Sequence, residues 1–315
     1  MVDLMQDIGD RPALRTLIEH QLAVWPEHGR YLDASFAARP PEVLDLSNEI
    51  AAVVARLAEQ APSDLNSFCE DYRFLCQEII LPEELHFRRN GRYRLASAAD
   101  AYHEVYSNLP LMRRYVSGLL MSHVLWDPHA RAIESYVNQY LPSLPDGASH
   151  LEIGPGHGLL LYFAALRPAL TTVSGWDISP ASVAHTRSVL EIMGVSQRVQ
   201  LHLHDLQDRD TATSGSFDSL TMSELLEHLD DPAAALRAAH DLLRPGGRLW
   251  VNVPINSPAP DHIYLFQTPE EACRLVEAAG FELVDQKFFP MTGSTLERAR
   301  RQQLSISCVM TARRA

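Results

Sequence analysis

The stretch HLEIGPGHG, residues 150–158, decides the fold of this chain. A short apolar strand leads directly into three glycines with the spacing G-x-G-x-G, and LLLYFAAL at 159–166 continues as a helix. Glycine is needed where a backbone turns sharply and must approach a ligand without a Cβ in the way. The following helix presents free N–H groups to that ligand. The spacing differs from the G-x-G-x-x-G of dinucleotide-binding folds.

From this stretch to the C-terminus, short apolar strands alternate with helical segments. The predicted strands are HLEI at 150–153, TVSGWD at 172–177, VQLHLH at 199–204, FDSLTM at 217–222, RLWVNV at 248–253, FELVDQKFF at 281–289 and LSISCVMTA at 304–312. This alternation predicts an α/β fold, with a parallel sheet covered by helices on both faces. Such sheets bind ligands at the carboxyl ends of their strands.

Two carboxylates follow the next two predicted strands. Asp177 ends the second strand, where a carboxylate accepts hydrogen bonds from ribose hydroxyls. Asp205 follows the third, where a carboxylate accepts from an adenine amino group. Together with the glycine loop, they mark three successive strand ends. This constellation predicts a nucleoside-containing cofactor much more strongly than a lone glycine loop does.

Residues 1–145 show a different pattern and are predicted to form a mainly helical domain. EIAAVVARLAEQ at 49–60 and FCEDYRFLCQEII at 68–80 carry apolar residues at helical spacing, and a longer helical region is expected over 98–140. Between them, LHFRRNGRYRL at 85–95 predicts a β-hairpin that turns at Asn90-Gly91. A short linker containing proline and glycine then leads into a second domain, residues 146–315.

The composition limits the classes of function. The chain has 315 residues, of which 46% are hydrophobic and 21% charged, as in ordinary globular proteins. Its formal net charge of −13, with Lys287 as the only lysine, disfavours nucleic acid as a partner. No signal-peptide pattern and no apolar run of membrane-spanning length are found. The four cysteines form no C-x-x-C pair, which favours a reduced, cytoplasmic setting.

Residues 150–315 resemble the class I S-adenosylmethionine-dependent methyltransferases. HLEIGPGHG is similar to their first motif, and the ribose, adenine, fourth-strand and fifth-strand motifs are matched by GWDIS at 175–179, HLHDL at 202–206, FDSLTMSELLEHLDDP at 217–232 and LLRPGGRLWVNVP at 242–254. The resemblance implies a Rossmann-like, seven-stranded sheet, parallel except for an antiparallel final hairpin, with S-adenosylmethionine as the cofactor. It implies these cofactor-binding residues: Glu152, Gly154, Gly156, Gly158, Asp177, Ile178, Asp205, Leu206 and Ser223. In that family the acid before the glycine loop contacts the methionine amine or a cofactor-bound water.

The order of features in residues 1–145 resembles the two-domain small-molecule O-methyltransferases. In those proteins the first domain mediates dimerisation and helps to wall the substrate pocket. The resemblance therefore implies a homodimer and a small-molecule substrate. Most of the large side chains on the long helical stretch are expected in the core or a dimer contact, and a minority at a ligand: Tyr102, Tyr106, Met112, Tyr115, Met121, His123 and Trp126.

The residues after the fourth strand are candidates for the chemistry. Oxygen and carbon nucleophiles usually need a base, and histidine titrates near neutral pH. His228 lies close to where the small-molecule O-methyltransferases carry their base histidine, and Glu227 and His262 are further catalytic candidates. If this segment is helical, Glu224, Glu227 and His228 share one face. The alternative is that the segment only packs against the loop and caps it.

Glu224, Glu227, His228 and His262 are also candidate ligands of a divalent metal ion, because carboxylates and imidazoles bind such ions. RNA 3′-end 2′-O-methyltransferases use a Glu-x-x-Glu-His and a later histidine for a metal. Some α-keto-acid C-methyltransferases hold a metal with two histidines. The present spacing matches neither whole pattern, and the acidic net charge disfavours RNA.

His123 and His129 are further candidates for the pocket, and Arg113 and Arg114 for holding a substrate carboxylate. We expect methyl transfer to an oxygen or carbon nucleophile of a small molecule in specialised metabolism, for example metal-assisted C-methylation of an α-keto acid. One alternative is a catalytically silent regulatory protein that binds S-adenosylmethionine. The other, disfavoured by the G-x-G-x-G spacing, is a nicotinamide-dependent oxidoreductase.

Overall fold

The N-terminal part of the chain is built of helices. The computed structural model describes residues 2–60, 64–208 and 214–315. The N-terminal α-helices are α1 Val2–Ile8, α2 Pro12–Val24, α3 Gly29–Phe36, α4 Pro41–Ala58, α5 Leu65–Phe74, α6 Leu81–Asn90, α7 Ala98–Ala101, α8 Leu109–Leu125 and α9 Asp127–Glu134. Proline in the first turn, where a backbone N–H has no helical partner, begins α2, α4, α6, α8 and α9. The helical N-terminal part predicted from the sequence is confirmed.

Shorter helical turns join or extend these helices. The π-helical segments are Leu75–Ile80, Tyr102–Tyr106 and Ser135–Tyr140. The 3-10 turns are Pro26–His28, Leu141–Ser143, Ser196–Arg198 and Leu226–His228. Two of these short segments, Tyr102–Tyr106 and Leu226–His228, carry side chains of the candidate active site.

The β-hairpin predicted at Asn90-Gly91 is wrong. Residues Leu81–Asn90 form α6, and residues 81–97, all described by the structure, contain no strand. Gly91 ends this helix with a φ of +67°, and its N–H donates to the carbonyl of Phe87. An Asn-Gly pair serves a left-handed helix end as well as a hairpin turn, because both need a residue at positive φ.

The C-terminal part contains a seven-stranded sheet in the order β3-β2-β1-β4-β5-β7-β6. Its strands are β1 Ala148–Ile153, β2 Leu170–Asp177, β3 Val199–Leu203, β4 Phe217–Ser223, β5 Leu243–Ile255, β6 Phe281–Pro290 and β7 Ile306–Arg314. Strands β1 to β5 pair in parallel, and β7 is antiparallel to both β5 and β6. The helices between them are α10 Leu159–Ala165, α11 Pro180–Ile192, α12 Pro232–Leu242, α13 Pro269–Ala278 and α14 Leu296–Gln302. The sheet with its antiparallel final hairpin confirms the predicted fold.

The strand order reverses between β1 and β4, and such a reversal opens a crevice at the carboxyl ends of the two strands. Strand β1 pairs with β2 on one side and β4 on the other, so that Glu152 lies opposite Gly175 and Thr221. A Cβ at Gly175 would lie 2.7 Å from a methyl group of Leu161 and 2.8 Å from one of Leu201, so a larger residue would require these side chains to shift. The glycine loop and the loop after β4 therefore border one crevice.

The N-terminal helices and the sheet share a hydrophobic core. One buried cluster joins Leu17 of α2 and Ile50 of α4 to Leu161 of α10 and Trp250 of β5. A second cluster contains residues of β4, β5, β7, α12 and α13. Every described strand lies after residue 147, but apolar contacts cross that boundary. The division into domains 1–145 and 146–315 stays a prediction.

The four cysteines are free thiols. Cys69 is buried in the first hydrophobic cluster and Cys76 packs against it, so these two residues are in packing positions. Cys273 and Cys308 are buried in the second cluster. Within the described ranges, no helix combines the length and the apolar character needed to cross a membrane.

Replacing Gly118 with alanine should destabilise the protein, because α8 crosses α5 and the segment after it at this glycine. A Cβ here would lie 2.8 Å from the Leu75 Cβ and 2.9 Å from the Asp71 carbonyl oxygen, which cannot move without moving the helix. We expect Gly118→Ala to lower the free energy of unfolding in urea by about 1–3 kcal/mol. Gly29→Ala is the control, since its Cβ would meet only the flexible end of Leu22 at 3.4 Å. Equal stabilities of the two variants would contradict this account.

Candidate active site

The glycine loop after β1 adopts backbone conformations that glycine accepts readily. Gly154, Gly156 and Gly158 have φ values of +67°, +52° and +74°. A Cβ at Gly156 would meet no atom within 4 Å, so this residue borders open space. Gly158 is the N-cap of α10, whose first N–H groups have no partner within the helix. The loop thus leaves room beside a helix N-terminus.

Glu152 provides an unpaired acceptor next to this loop. Its side chain is 2% exposed, and its Oε2 has no hydrogen-bond partner among the described residues. Burial raises the pKa of this carboxyl group well above its ordinary value. A buried polar atom normally has a partner, whether protein, water or ligand. The unpaired oxygen fits a ligand that brings a hydrogen-bond donor, such as an ammonium group.

The carboxylates of Asp177 and Asp205 lie at the ends of the next two strands. Asp177 Oδ1 accepts from the Ser179 N–H at 2.8 Å and Oδ2 from the Ser182 hydroxyl at 2.5 Å. These bonds fix the carboxylate and leave further lone pairs for a ligand. Asp205 is exposed and accepts from the Gln207 N–H at 2.8 Å. Both groups are available to hydroxyl or amino donors.

The other sequence-predicted cofactor residues border the same edge. Ile178 is 70% exposed beside Asp177, which leaves an apolar surface suited to a flat base. Leu206 is half-buried next to Asp205, and Ser223 is half-buried at the end of β4. Taken with the unpaired Glu152 oxygen and the open space at Gly156, these residues fit a nucleoside with an amino-acid end, which is the chemistry of S-adenosylmethionine.

A second group of polar side chains lies after β4 and β5. Glu227 Oε1 lies 3.6 Å from His228 Nε2 and 3.9 Å from His262 Nε2. One ligand atom from each of these three residues lies within 4.8 Å of the other two. Glu227 and His262 are buried, and His228 is 18% exposed. Glu224, the fourth candidate ligand, lies outside this three-residue group.

The two imidazoles of this group are oriented by backbone carbonyls. The Nδ1 of His228 lies 3.0 Å from the Asp261 carbonyl oxygen, and the Nδ1 of His262 lies 2.7 Å from the Ser257 carbonyl oxygen. A carbonyl only accepts, so each Nδ1 carries the proton and donates it. Each Nε2 of a neutral ring then keeps its lone pair and faces Glu227. Metal-binding histidines are typically held in this way.

The carboxyl group of Glu227 is fully buried. Neither oxygen of Glu227 has a hydrogen-bond partner among the described residues. Burial, and then the carboxyl groups of Glu224 and Asp261, raise the pKa of Glu227 well above its ordinary value. Burial raises the pKa of Glu224 to about 8, although the Asn252 side chain donates to it at 2.6 Å. Burial and His228 lower the pKa of His262 to about 4.

The helical face expected for Glu224, Glu227 and His228 does not form. Glu224 has a φ of +48°, and its N–H donates to the Asn252 carbonyl, so it still pairs with β5. Only Leu226–His228 forms a single 3-10 turn. A left-handed conformation is costly for a residue with a Cβ and is typical of functional sites. This sharp turn directs Glu224 to Asn252 and leaves Glu227 with the histidines.

His262 lies in a loop, residues 257–265, that is closed at its base. Ile255 and Phe266 form an isolated parallel bridge, and the Asn256 N–H donates to the Phe266 carbonyl. The Glu227 carbonyl accepts from the N–H groups of both Ile263 and Tyr264 at 2.9 Å. The backbone of one candidate ligand therefore anchors the loop that carries another.

Sequence reasoning missed Asp261 and left Tyr106 and Tyr115 among probable core residues. Asp261 accepts from Tyr115 Oη at 2.8 Å and from Tyr106 Oη at 3.0 Å. Burial opposes ionisation of Asp261, but His228, His262 and the two tyrosines hold its pKa below the ordinary value. The N-terminal helical part thereby reaches the group around Glu227. The only sequence signal was an acid directly before His262.

The remaining candidates from the sequence, two arginines and two histidines, lie outside the group of Glu227, His228 and His262. Arg113 is exposed, and Arg114 pairs with Asp71 at 2.7 Å. His123 lies 2.9 Å from His157 of the glycine loop, nitrogen to nitrogen. The Nδ1 of His129 contacts the hydroxyl of Ser122, which also belongs to the N-terminal helical part. Neither arginine side chain belongs to the group around Glu227, whereas His123 contacts the predicted cofactor loop.

The sequence matches the family described as methyltransferase domain over residues 126–286. It is 38% identical over 117 residues to a ubiquinone biosynthesis O-methyltransferase of Xanthomonas axonopodis pv. citri (strain 306), a match that covers 36% of this chain and 46% of that protein. The protein of that name in Xanthomonas euvesicatoria pv. vesicatoria (strain 85-10) is 37% identical over 115 residues, with the same shares. The chain thus spans about half the length of these relatives. A solved structure of a SAM-dependent methyltransferase from Aquifex aeolicus superimposes with a TM-score of 0.46 at 15% identity, over 62% of this chain and 93% of that one.

The family match covers just over half of the 315 residues. The chain therefore belongs to the methyltransferase domain family, within the class I S-adenosylmethionine-dependent methyltransferases. The strand order and the antiparallel final hairpin agree with this class. Family membership implies S-adenosylmethionine as the cofactor and favours the methyltransferase interpretation over a nicotinamide-dependent oxidoreductase.

Replacing Tyr115 with phenylalanine should destabilise the protein, because it removes a hydrogen bond to a buried carboxylate. Tyr115 is 4% exposed, and its hydroxyl donates to Asp261. Hydrogen bonds to charged groups contribute about 1.5–3 kcal/mol, so Tyr115→Phe should lower the free energy of unfolding by about that amount. Tyr102→Phe is the matched control, because Tyr102 is 60% exposed. Urea unfolding at pH 7 gives the comparison, and a Tyr115→Phe variant as stable as the control would contradict the assignment.

Proposed function

We propose that this chain transfers the methyl group of S-adenosylmethionine to an oxygen or carbon nucleophile of a small molecule, with a divalent cation bound by Glu227, His228 and His262. One observation carries the proposal. Two imidazole nitrogens with free lone pairs face a buried carboxylate that has no other partner among the described residues. A group of this kind beside the cofactor-binding edge of a methyltransferase sheet suits a reacting centre.

The cofactor side of the proposal uses the strand ends. Glu152 accepts from the methionine ammonium, Asp177 from the ribose hydroxyls and Asp205 from the adenine amino group. When bound, the cofactor supplies a methyl group on a positively charged sulfur. The rest of the proposed cofactor site consists of Gly154, Gly156, Gly158, Ile178, Leu206 and Ser223. The support for these roles is the unpaired Glu152 oxygen and the fixed, accessible carboxylates.

The cation side uses the group around Glu227. Two imidazoles and one carboxylate suit Zn²⁺ and the other divalent transition metals. The raised pKa of Glu227 favours its protonated form, so a cation would compete with a proton there. A bound cation supplies positive charge that favours the ionised form of an acceptor oxygen. Glu224, which accepts a hydrogen bond from Asn252, is in this proposal a neighbouring carboxyl group and not a ligand.

A second candidate for the chemistry is His228 acting as a general base without a metal. Its Nδ1 proton is held by the Asp261 carbonyl, which leaves Nε2 free to accept a proton. His228 is also the most exposed of the three residues, at 18% for its side chain. Glu227 then orients the imidazolium that forms. The chelator experiment described below separates this version from the cation version.

An oxygen acceptor is the better supported substrate class. Charge complementarity disfavours an α-keto acid, because Arg114 is engaged with Asp71 and Arg113 is exposed. The names of the curated relatives also describe O-methylation. We place the small-molecule substrate in specialised metabolism.

A homodimer and a cytoplasmic location complete the proposal. Exposed apolar side chains on the N-terminal helical part support a contact with a second copy of the chain: Leu81, Leu85, Tyr102 and Leu109. Free cysteines agree with a reducing compartment. Both statements stay predictions from the sequence.

Replacing Asp177 with alanine tests the cofactor site. The variant loses the acceptor for the ribose hydroxyls, so its affinity for S-adenosylhomocysteine should fall at least tenfold, about 1.4 kcal/mol, by calorimetry. Asp146→Ala, which removes an exposed carboxylate elsewhere, should bind like the wild type. Unchanged affinity of Asp177→Ala would show that the cofactor lies elsewhere. Tight binding by the wild type without methyl transfer to any acceptor would match the regulatory alternative instead.

Cobalt titration tests the cation site. The stripped protein should bind about one Co²⁺ per chain, with visible absorption bands of a cobalt–imidazole site. His262→Ala should weaken this binding at least tenfold, whereas His103→Ala, which removes an exposed histidine, should not. Because the raised pKa of Glu227 makes the cation compete with a proton, the affinity for Co²⁺ should rise as the pH rises.

A chelator experiment on the same protein distinguishes metal-assisted methyl transfer from transfer with His228 as a general base. If the cation takes part, a chelator abolishes methyl transfer and a divalent ion restores it. Methyl transfer that resists the chelator, but is lost about 100-fold in His228→Ala, would assign His228 as a base. Absence of cobalt binding together with full activity of His228→Ala would overturn both versions.

A further inference from the structure

A pair of histidines joins the N-terminal helices to the glycine loop. His123 of α8 is 7% exposed, and its Nε2 lies 2.9 Å from the Nε2 of His157. The two rings meet edge to face, with centroids 4.8 Å apart. His157 stands between Gly156 and Gly158, within the loop assigned to the cofactor. The pair is therefore a direct polar contact between α8 and the predicted cofactor site.

The positions of the protons in this pair follow from its neighbours. The N–H of Leu159, in the first turn of α10, donates to Nδ1 of His157 at 3.3 Å. Nδ1 of His157 therefore carries no proton, and in the neutral ring the proton is on Nε2. Burial lowers the pKa of His157 to about 3 and that of His123 well below its ordinary value, so both rings are neutral. His157 thus donates from Nε2 to Nε2 of His123, and the proton of His123 is on Nδ1.

This chain of hydrogen bonds ends in an unpaired donor. The Nδ1 of His123 is buried and has no hydrogen-bond partner among the described residues. The nearby ring of His129 has its centroid 5.4 Å from that of His123, and its Nδ1 is used by Ser122. The pair is also unsuited to a metal ion, because the Nε2 of His157 carries a proton instead of a free lone pair. An N–H donor in this position requires an acceptor from outside the described residues.

An unpaired acceptor is found beside the same loop. Glu152, two residues before Gly154, has a buried Oε2 without a partner. One unpaired donor is thus on a ring that contacts the glycine loop, and one unpaired carboxyl oxygen is on the residue two before its first glycine. An α-amino acid end carries the complementary pair of groups, an anionic carboxylate and a cationic ammonium. Each unpaired group of the protein corresponds to one charge of such a ligand.

We propose that His123 is a cofactor-binding residue, whose Nδ1–H donates to the carboxylate at the methionine end of S-adenosylmethionine. Glu152 takes the ammonium of the same end, and His157 is the positioning residue that fixes the tautomer of His123. The N-terminal helical part then contributes directly to cofactor recognition. This inference depends on the cofactor site proposed above and is independent of the cation at Glu227.

Binding of two ligands tests the inference. S-adenosylhomocysteine carries the carboxylate, and its decarboxylated analogue keeps the amine and the nucleoside but lacks it. His123→Ala should weaken binding of S-adenosylhomocysteine about 10- to 100-fold, the usual effect of losing a hydrogen bond to a charged group. It should leave binding of the decarboxylated analogue within about twofold of the wild-type value. His123→Asn, whose amide NH₂ takes the place of Nδ1–H, should recover part of the lost affinity.

Two control variants make the outcomes distinct. Asp177→Ala should weaken both ligands equally, because the ribose is common to them, and if it weakens neither, the proposed cofactor site itself fails. His129→Ala removes a neighbouring histidine and should not discriminate between the ligands. If Asp177→Ala behaves as expected while His123→Ala weakens both ligands equally or neither of them, the assignment of His123 is overturned.

Nitrogen-15 spectra of the histidine rings test the tautomers in the unmodified protein. We expect His123 protonated at Nδ1 and His157 at Nε2, with the Nδ1 signal of His123 shifting when S-adenosylhomocysteine binds. The decarboxylated analogue should leave that signal in place. A His123 protonated at Nε2, or equal shifts with both ligands, would overturn the proposal even if the variants failed to fold.

Discussion

Buried carboxyl oxygens that have no hydrogen-bond partner among the described residues, at Glu152 and Glu227, are the constraint on which the rest of this candidate site depends. Removing such groups from water is costly when they are charged, and burial accordingly raises their pKa values. A folded chain retains such groups when a ligand supplies the missing charge. Both carboxyl groups lie on or after adjacent strands, β1 and β4, where the strand order reverses. The order of the strands thus places the buried carboxyl groups of Glu152 and Glu227 at neighbouring positions of the sheet.

The N-terminal helices complete both sites. Near Glu227, the hydroxyls of Tyr106 and Tyr115 hold Asp261, whose carbonyl in turn orients His228. Near Glu152, His123 contacts the glycine loop through His157. Residues of α2, α4, α8 and α10 belong to one buried hydrophobic cluster, which holds the helical part against the C-terminal part. The helical part therefore contacts both candidate sites.

The sheet could be predicted from the sequence, because alternating strand patterns, glycine turns and helix starts are all local signals. The strand ends at Asp177 and Asp205 followed from the same signals. The hairpin at Asn90-Gly91 was wrong because that pair also ends helices, and only the packing of Phe87 and its neighbours decides between the two. Of the four candidate ligands predicted from the sequence, Glu227, His228 and His262 lie together and Glu224 lies outside their group. The expected helical face fails at Glu224, whose positive φ no local pattern indicates. Asp261 and the His123–His157 contact were beyond prediction, because each joins residues distant in sequence: 146 positions separate Asp261 from Tyr115, and 34 separate His123 from His157.

The closed loop at residues 257–265 has a consequence for how a substrate reaches this site. Pro258 and Pro260 restrict its backbone, the Ile255–Phe266 bridge closes its base, and the Glu227 carbonyl holds its far side through two N–H groups. The loop is thus held at its base and at its far side. Tyr106 and Tyr115 face it from the N-terminal helical part, so widening the site on that side breaks two hydrogen bonds to a buried carboxylate.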